Sequence, residues 1–243
     1  MVGKLKMLDY NLRSKQELEA FNNNTNIHEL PSIFHYWSNK YLKPIIEQYG
    51  MSHPDDLYIN HIIESISATN VESPVFVSIG SGNCDTEIRI AKSLLDKGIS
   101  GFEFECIDLN QQMLDRGRDL AIAEGVIDNI SFTLADLNNW KSDKEYTCVI
   151  ANQSLHHIQN LEGLFSEIKK SLHENGSFIS SDMIGRNGHQ RWPEALEAVH
   201  EFWKELPDSY KYNHLLNRHE AMYENWDCSS EGFEGIRAQD ILP

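Results

Sequence analysis

Small and polar residues stand where four apolar, strand-like runs end in this 243-residue sequence. In chain order they are Gly80, Ser81, Gly82, Asp108, Asp136 and Asn152. In an open parallel sheet, ligands bind outside the carboxyl ends of the strands, so these side chains are expected at one edge. The set predicts a site for a nucleoside-type ligand. The alternative is that each Asp or Asn only caps the following helix.

The elements that would position these residues alternate between strand and helix from about residue 75. The strand-like runs are "VFVSIG", "FEFECID", "ISFTLAD", "YTCVIAN" and "SFISSD". The spacing predicts a helix from Asn160 to Leu172 with one apolar stripe, followed by a turn at "HENG", and another helix from about Thr86 to Lys97. Such alternation indicates an α/β protein with a doubly wound, mostly parallel sheet.

The flanking segments differ from this alternating region. Residues 1–70 are amphipathic and rich in aromatic residues, with no clearly delimited strand, and they predict a helical N-terminal lid or appendage. Residues 71–243 form the predicted ligand-binding domain. Beyond Asp182 the chain becomes polar and aromatic, and we expect this segment and the lid to supply a pocket for a small polar-aromatic molecule.

Charge and hydropathy exclude several classes of partner. The formal net charge is −16, and no Lys/Arg-rich run is present, so nucleic acid is not an expected partner. The sequence holds neither a signal peptide nor an apolar run of the roughly 20 residues that a membrane span needs. A cytoplasmic location with no membrane partner is therefore expected.

The cysteines carry no metal-binding or disulfide pattern. Cys84, Cys106, Cys148 and Cys228 lack C-x-x-C spacing, and Cys106 and Cys148 lie inside apolar strand-like runs. We therefore expect buried free thiols, no disulfide and no metal.

The order of these features resembles the class I S-adenosylmethionine-dependent methyltransferases over roughly residues 75–182. The resemblance lies in "SIGSGNCD", "FECIDLNQQMLDRGRDLA", "FTLADLNNW" and "YTCVIANQSLHHI". It implies a Rossmann-like methyltransferase domain in residues 71–243, S-adenosylmethionine as cofactor and S-adenosylhomocysteine as product. The implied reaction is methyl transfer to a small-molecule acceptor.

The resemblance also implies roles for single residues in binding the cofactor. Backbone at Gly80, Ser81 and Gly82 would lie against it. Asp108 would bind the ribose hydroxyls, with Leu109 and Met113 beside the adenine.

Two further segments complete the implied site. Asp136 would accept a hydrogen bond from the exocyclic amine of adenine, and Leu137 would offer its backbone amide. The methionine part would lie near three consecutive residues, Asn152, Gln153 and Ser154.

Two histidines would follow, near the acceptor. His157 or His156 is a candidate general base, because histidine titrates near neutral pH. The alternative is that these imidazoles pack or hydrogen-bond locally.

The sequence departs from the family pattern at two positions in the glycine turn. Ser78 stands where the family often has an acidic residue, and Cys84 stands where it often has a third glycine. A nicotinamide-dependent oxidoreductase is one alternative, although Asp85 would then face a pyrophosphate, whereas a sulfonium cofactor suits acidic surroundings. A non-catalytic cofactor-binding module or partner subunit is another.

The last residues raise one more expectation. "EGFEGIRAQDILP" looks like the approach to a final pair of strands in this family, yet the sequence stops at Pro243. Either other structure replaces those strands or the chain is shortened. An uncovered sheet edge would invite pairing with a second copy, so a homodimer is one expectation.

Overall fold

A five-stranded, wholly parallel sheet organises the middle of the chain. The computed structural model describes residues 2–23, 32–213, 217–230 and 232–242. Residues 2–9 and 23 are described by their backbone alone. The strands are β1 (Val75–Ile79), β2 (Glu103–Asp108), β3 (Ile130–Leu134), β4 (Tyr146–Asn152) and β5 (Leu172–Ser181). Their order, β3-β2-β1-β4-β5, confirms the predicted doubly wound α/β fold.

Helices precede the sheet, lie between its strands and follow it. In chain order they are α1 (Val2–Asn23), α2 (Ser32–Trp37), α3 (Lys43–Glu47), α4 (Asp55–Thr69), α5 (Asp85–Asp96), α6 (Gln111–Ala123), α7 (Leu161–Ser171) and α8 (Pro193–Glu205). A π-helix, Ser38–Leu42, lies between α2 and α3. All described elements before β1 are helical, as expected for residues 1–70. None of the helices in the described ranges combines the length and apolar character that crossing a membrane requires.

The strand register brings the carboxyl ends of the strands to one edge. Ile79 of β1 pairs with Ile107 of β2, and Asn152 of β4 pairs with Ser181 of β5. The chain winds to opposite sides of β1, because β1 has β2 as one neighbour and β4 as the other. This is the topological switch point at which open α/β sheets bind ligands.

The core lies between the sheet and the helices on it. Phe76, Phe104 and Ile150 are fully buried strand residues, and they belong to the same apolar cluster as Ile62 of α4 and Leu94 of α5. The cysteines are free thiols, buried at positions 84, 106 and 148 and exposed at 228. The expectation of buried free thiols at Cys106 and Cys148 is confirmed.

The helix predicted from Asn160 to Leu172 is confirmed as α7, but the turn after it is unusual. Strand β5 begins directly at Leu172, which pairs with Tyr146, and the next paired residue is Ser177, opposite Cys148. Residues 173–176, the predicted turn "HENG", therefore bulge out of the ladder within β5.

The chain divides into two compact units. The sheet unit comprises Lys15–Leu155 and Asn160–Asp182. The second unit comprises Met1–Ser14, His156–Gln159 and Met183–Pro243.

Short strands and turns fill the later part of the second unit. Strands β6 (Tyr212–Asn213) and β7 (Arg218–His219) form a separate antiparallel pair. In the described ranges β5 is the last strand in sequence of the five-stranded sheet, and the described residues of "EGFEGIRAQDILP" form turns and the short helix Ala238–Asp240.

Candidate active site

A glycine turn follows β1 at the carboxyl edge of the sheet. Gly80 and Gly82 have positive φ values of 73° and 55°, which favour glycine. The amides of Gly80 and Ser81 both donate to the Ile107 carbonyl oxygen, at 2.8 and 3.0 Å. A Cβ atom on Gly80 would lie 2.5 Å from the Ser154 Cβ. Residue 80 must therefore be glycine both for its backbone conformation and for lack of space.

Asp108 is held against this turn by backbone hydrogen bonds. Its Oδ2 accepts a hydrogen bond from the Gly82 amide at 2.8 Å, and its Oδ1 accepts one from the Asn110 amide at 2.8 Å. The side chain of Asn110 in turn caps α6 by accepting from the amides of Gln112 and Met113. The carboxylate of Asp108 is thus fixed in orientation by the backbone on both sides.

Leu109 and Met113 were predicted to lie beside the adenine, and Leu137 to offer its backbone amide to it. Met113 is buried in the first turn of α6, and Leu109, which precedes the cap residue, is half-buried. Leu137 is buried, and its Cδ1 lies 3.8 Å from where a Cβ on Gly80 would stand. The structure therefore brings Leu137 to the glycine turn.

Asp136 accepts hydrogen bonds from its own turn. Its Oδ1 accepts from the Asn138 amide at 2.9 Å, and its Oδ2 accepts from the Asn139 side chain at 2.9 Å. These bonds close a turn between β3 and β4, where the described residues form no helix for Asp136 to cap, and they do not by themselves favour a ligand at this residue.

The last residue of β4 and the two that follow it make different contacts. The Asn152 side chain accepts from the Tyr58 hydroxyl at 2.9 Å and donates to the Thr86 hydroxyl at 3.3 Å, so its amide joins α4 to α5. Gln153 has a positive φ of 53°, and its amide donates to the Ser181 carbonyl at 2.7 Å. Ser154 is buried and donates to the Ile79 carbonyl at 2.7 Å, next to the glycine turn.

Asp182 is a residue of this edge that sequence reasoning missed. Its Oδ2 accepts hydrogen bonds from the amides of Ser154, at 3.1 Å, and Leu155, at 2.7 Å. Its position directly after β5 was the available signal, since polar residues after the four preceding strands had already been selected.

Cys84, which stands where the family often has a third glycine, is accommodated by a glycine on α6. Cys84 has a positive φ of 60° and is buried. A Cβ on Gly117 of α6 would lie 2.8 Å from the Cys84 sulfur. Space for a side chain at position 84 is therefore provided by the absence of one at position 117.

The departure at Ser78 is accompanied by a carboxyl group on α5. The buried Ser78 hydroxyl donates to Glu87 Oε1 at 2.6 Å. Burial raises the pKa of Glu87 to about 7, and the hydrogen bond from Ser78 opposes that rise. An acidic group therefore lies beside the end of β1 even though β1 itself carries a serine there.

The two candidate bases lie in the second unit, against one carboxylate. The Nε2 atoms of His156 and His157 each lie 3.5 Å from an oxygen of Glu234, and His189 Nε2 lies 2.8 Å from Glu234 Oε1. Burial opposes ionisation of Glu234, but hydrogen bonds from His156 and His189 outweigh it and hold the pKa of this carboxyl well below its usual range. Sequence reasoning missed His189 and Glu234.

A parallel sheet of this order, with a glycine turn and an acid at the switch point, defines an α/β protein suited to a nucleoside cofactor. Residues 73–229, more than half of the chain, match the profile of the family described as "Methyltransferase domain". The chain belongs to this methyltransferase family. The match confirms the class I S-adenosylmethionine-dependent methyltransferase identified from sequence, with S-adenosylmethionine as methyl donor.

Individual relatives are distant. Malonyl-[acyl-carrier protein] O-methyltransferase 2 from Ilyobacter polytropus is 23% identical over 190 residues, covering 73% of this chain and 70% of the relative. The structure of a DhpI–S-adenosylhomocysteine complex is 13% identical in sequence. The match covers 72% of this chain and 71% of the DhpI chain, with a TM-score of 0.46.

A further solved structure is similarly remote. An S-adenosylmethionine-dependent methyltransferase from Thiobacillus denitrificans, in complex with S-adenosylhomocysteine, is 17% identical, with coverage of 70% and 62% and a TM-score of 0.43. With TM-scores this low, the family assignment rests on the profile match.

The raised pKa of Glu87 predicts a pH-dependent stability. The folded chain holds a proton at Glu87 up to about pH 7, whereas the unfolded chain releases it near the usual value of 4.5. The proton held at Glu87 therefore stabilises the folded chain. This stabilisation is fully present below the unfolded-state pKa of 4.5 and is lost as pH rises through about 7. Between about pH 5 and about pH 8, the wild type should lose about 2 kcal/mol more than Glu87→Gln.

Urea unfolding of both proteins at the two pH values measures this difference. Glu64→Gln, which removes an exposed carboxyl of α4, is the matched control and should keep the wild-type pH dependence. Parallel stability profiles for the wild type and Glu87→Gln would show that Glu87 does not titrate as described.

Proposed function

We propose that this methyltransferase transfers the methyl group of S-adenosylmethionine to a small-molecule acceptor. The observation that carries the cofactor site is the 2.8 Å hydrogen bond from the Gly82 amide to Asp108 Oδ2, which joins the glycine turn to the acid that ends β2. The net charge of −16 supports an acceptor other than nucleic acid, because such a charge repels a phosphate backbone.

In this proposal Asp108 binds the ribose. Two backbone amides already fix its carboxylate, so it would accept hydroxyl hydrogen bonds without first being ordered. Each carboxylate oxygen accepts more than one hydrogen bond, so bonds to the ribose are compatible with those to the backbone. Leu109 and Met113 would lie beside the adenine, and Leu137 would offer its backbone amide to it. The side chains of Met113 and Leu137 are buried.

The charge at this edge fits a sulfonium. Asp108 ends β2, Asp136 comes shortly after β3, and Asp182 follows β5. The positive sulfur of the donor is attracted by carboxylates, whereas a dinucleotide pyrophosphate would be repelled. This supports methyl transfer over a nicotinamide-dependent oxidoreductase.

The proposed reaction is an in-line displacement. The acceptor's lone pair forms a bond to the methyl carbon while the carbon–sulfur bond breaks and its electron pair stays on sulfur. The protein contributes mainly by holding the two reactants in line. His157 or His156 would remove a proton when the acceptor is an alcohol or an ammonium group.

A carrier-bound carboxylate is a second candidate acceptor. The supporting observation is the 23% identity to an enzyme named malonyl-[acyl-carrier protein] O-methyltransferase. The free carboxyl of a malonyl thioester is already ionised near neutral pH, so its methylation needs no base. The two candidates therefore differ in what they require of His157.

A panel of acceptors tests the proposal. The chain is incubated with S-adenosylmethionine and with carboxylic acids, phenols, amines or malonyl-acyl carrier protein, and release of S-adenosylhomocysteine is measured. We expect turnover with at least one soluble small molecule and none with DNA or RNA. Donor binding without turnover across the panel would favour the non-catalytic cofactor-binding module, and turnover on nucleic acid alone would contradict the proposed acceptor class.

The ribose role of Asp108 predicts a loss of cofactor affinity. Asp108→Ala should weaken binding of S-adenosylhomocysteine at least about 10-fold, because charge-assisted hydrogen bonds to two hydroxyls are lost. Isothermal titration gives the affinity. Asp115→Ala removes an exposed carboxylate from α6 and is expected to bind normally. Equal affinities in the two variants would place the ribose elsewhere.

The proposed base predicts a separation of turnover from binding. With an alcohol or amine acceptor, His157→Ala should lower turnover about 100-fold while leaving cofactor affinity nearly intact. Steady-state kinetics and titration measure the two effects, with His61→Ala, an exposed histidine of α4, as control. An unchanged rate with such an acceptor would reduce His157 to a packing role.

The expected cytoplasmic location and homodimer also stay predictions. Light scattering of the purified chain determines its oligomeric state.

A further inference from the structure

We propose that His156, His189 and Glu234 form a binding site for a divalent transition-metal ion. All three residues belong to the second unit, and they come from stretches far apart in the sequence. One ligand atom from each lies within 4.8 Å of the other two. The inference goes beyond methyl transfer and does not depend on the nature of the acceptor.

The distances between the donor atoms fit coordination of one ion. Glu234 Oε1 lies 2.8 Å from His189 Nε2 and 3.5 Å from His156 Nε2. An ion bound at about 2.1 Å from each ligand places neighbouring ligand atoms about 3 to 3.4 Å apart. Small movements of these side chains would therefore suffice to surround an ion.

The donor set selects the class of ion. Two imidazole nitrogens and one carboxylate oxygen are a ligand set found for Zn²⁺ and for Fe²⁺, with further positions left for water or another ligand. Ca²⁺ and Mg²⁺ prefer ligands that are all oxygen, so this set disfavours them. The negative charge of Glu234 offsets part of the charge of a divalent ion.

The site is buried on one side and accessible on the other. The exposed fraction of the side chain is 3% for His156, 18% for His189 and 38% for Glu234. The ring of His157 lies 4.2 Å from that of His156, centre to centre, and its Nε2 lies 3.5 Å from Glu234 Oε2. An ion would enter from the Glu234 side and meet a nearly dry imidazole, with His157 beside it.

The backbone holds the two distant ligands together. His189 adopts a positive φ of 52°, uncommon for a residue with a side chain, and follows Gly188 at 65°. The Gly188 amide donates to the Gly235 carbonyl at 2.8 Å, and a Cβ on Gly235 would lie 2.9 Å from the His189 nitrogen. The segments that carry His189 and Glu234 are therefore in direct backbone contact, and the ligands are positioned before any ion binds.

A hydrogen-bonded cluster without an ion is the competing explanation. In that case each Nε2 carries a hydrogen that points at the carboxylate. On metal binding each Nε2 donates its lone pair instead, so its proton moves to Nδ1 or, from a charged imidazolium, to solvent. The two explanations therefore differ in whether a metal ion binds at all.

Titration of the untagged full chain with Zn²⁺, after removal of metals with a chelator, tests the proposal. We expect one tight Zn²⁺ per chain by calorimetry. His189→Asn and Glu234→Gln should each weaken this binding at least about 100-fold, since each removes a direct ligand. His61→Ala is the matched control, because His61 Nδ1 lies 2.9 Å from Glu64 Oε2 in an exposed pair on α4, and it should bind Zn²⁺ like the wild type.

Absorption of the Co²⁺-loaded wild-type chain gives a second, spectroscopic readout of the site. A bound Co²⁺ should give visible bands more intense than those of the aqueous ion, and the bands should be absent in His189→Asn. No Zn²⁺ binding by the wild type, or equal binding by His189→Asn and Glu234→Gln, would overturn the proposal and leave the hydrogen-bonded cluster. Binding of S-adenosylhomocysteine by the same chelator-treated protein separately tests the cofactor site.

Discussion

The end of β2 fixes the turn that follows β1. Two amides of that turn donate to the single carbonyl oxygen of Ile107, and the Gly82 amide donates to Asp108. These bonds follow from the parallel register that pairs Ile79 with Ile107, so the position of the turn is set by the sheet and not by the turn alone. An anionic group and the backbone of the glycine turn are thereby held together at the switch point before any cofactor arrives.

Lack of space then restricts which side chains can lie around this turn. Ser154 approaches so closely that residue 80 has no room for a side chain. The Ser154 hydroxyl donates to the carbonyl of Ile79, the last residue of β1. Asp182 holds the amide of Ser154 from the other side, after β5. The ends of β1, β4 and β5 are therefore connected by hydrogen bonds. Such connections keep the edge rigid, as a site that must align two reactants requires.

The local pattern of the sequence was sufficient to predict the sheet, α5, α7 and the residues that follow the strands, because each depends on a few neighbouring residues. It was not sufficient for Gly117 beside Cys84 or for Glu87 beside Ser78. Each pair depends on which face a helix presents to the strand or turn beside it. Periodicity identifies the buried face of a helix but not the residue it contacts. The bulge at residues 173–176 was mistaken for a simple turn for a similar reason, since pairing with β4 resumes beyond it.

The histidines after β4 illustrate the same limit. The resemblance of the segment after β4 to the family pattern pointed to His156 and His157, whereas His189 and Glu234 reach them only through the fold of the second unit. A search for cysteine spacing could not find such a cluster, because its ligands are imidazoles and a carboxylate from distant segments.

The central claim is that the glycine turn and Asp108 bind the methyl donor, and a crystal structure of the chain with S-adenosylhomocysteine tests it most directly. The account predicts ribose hydroxyls within hydrogen-bond distance of the Asp108 carboxylate and cofactor backbone contacts at Gly80 to Gly82. Density for the ligand away from this edge of the sheet, with Asp108 still bonded only to the protein, would contradict it.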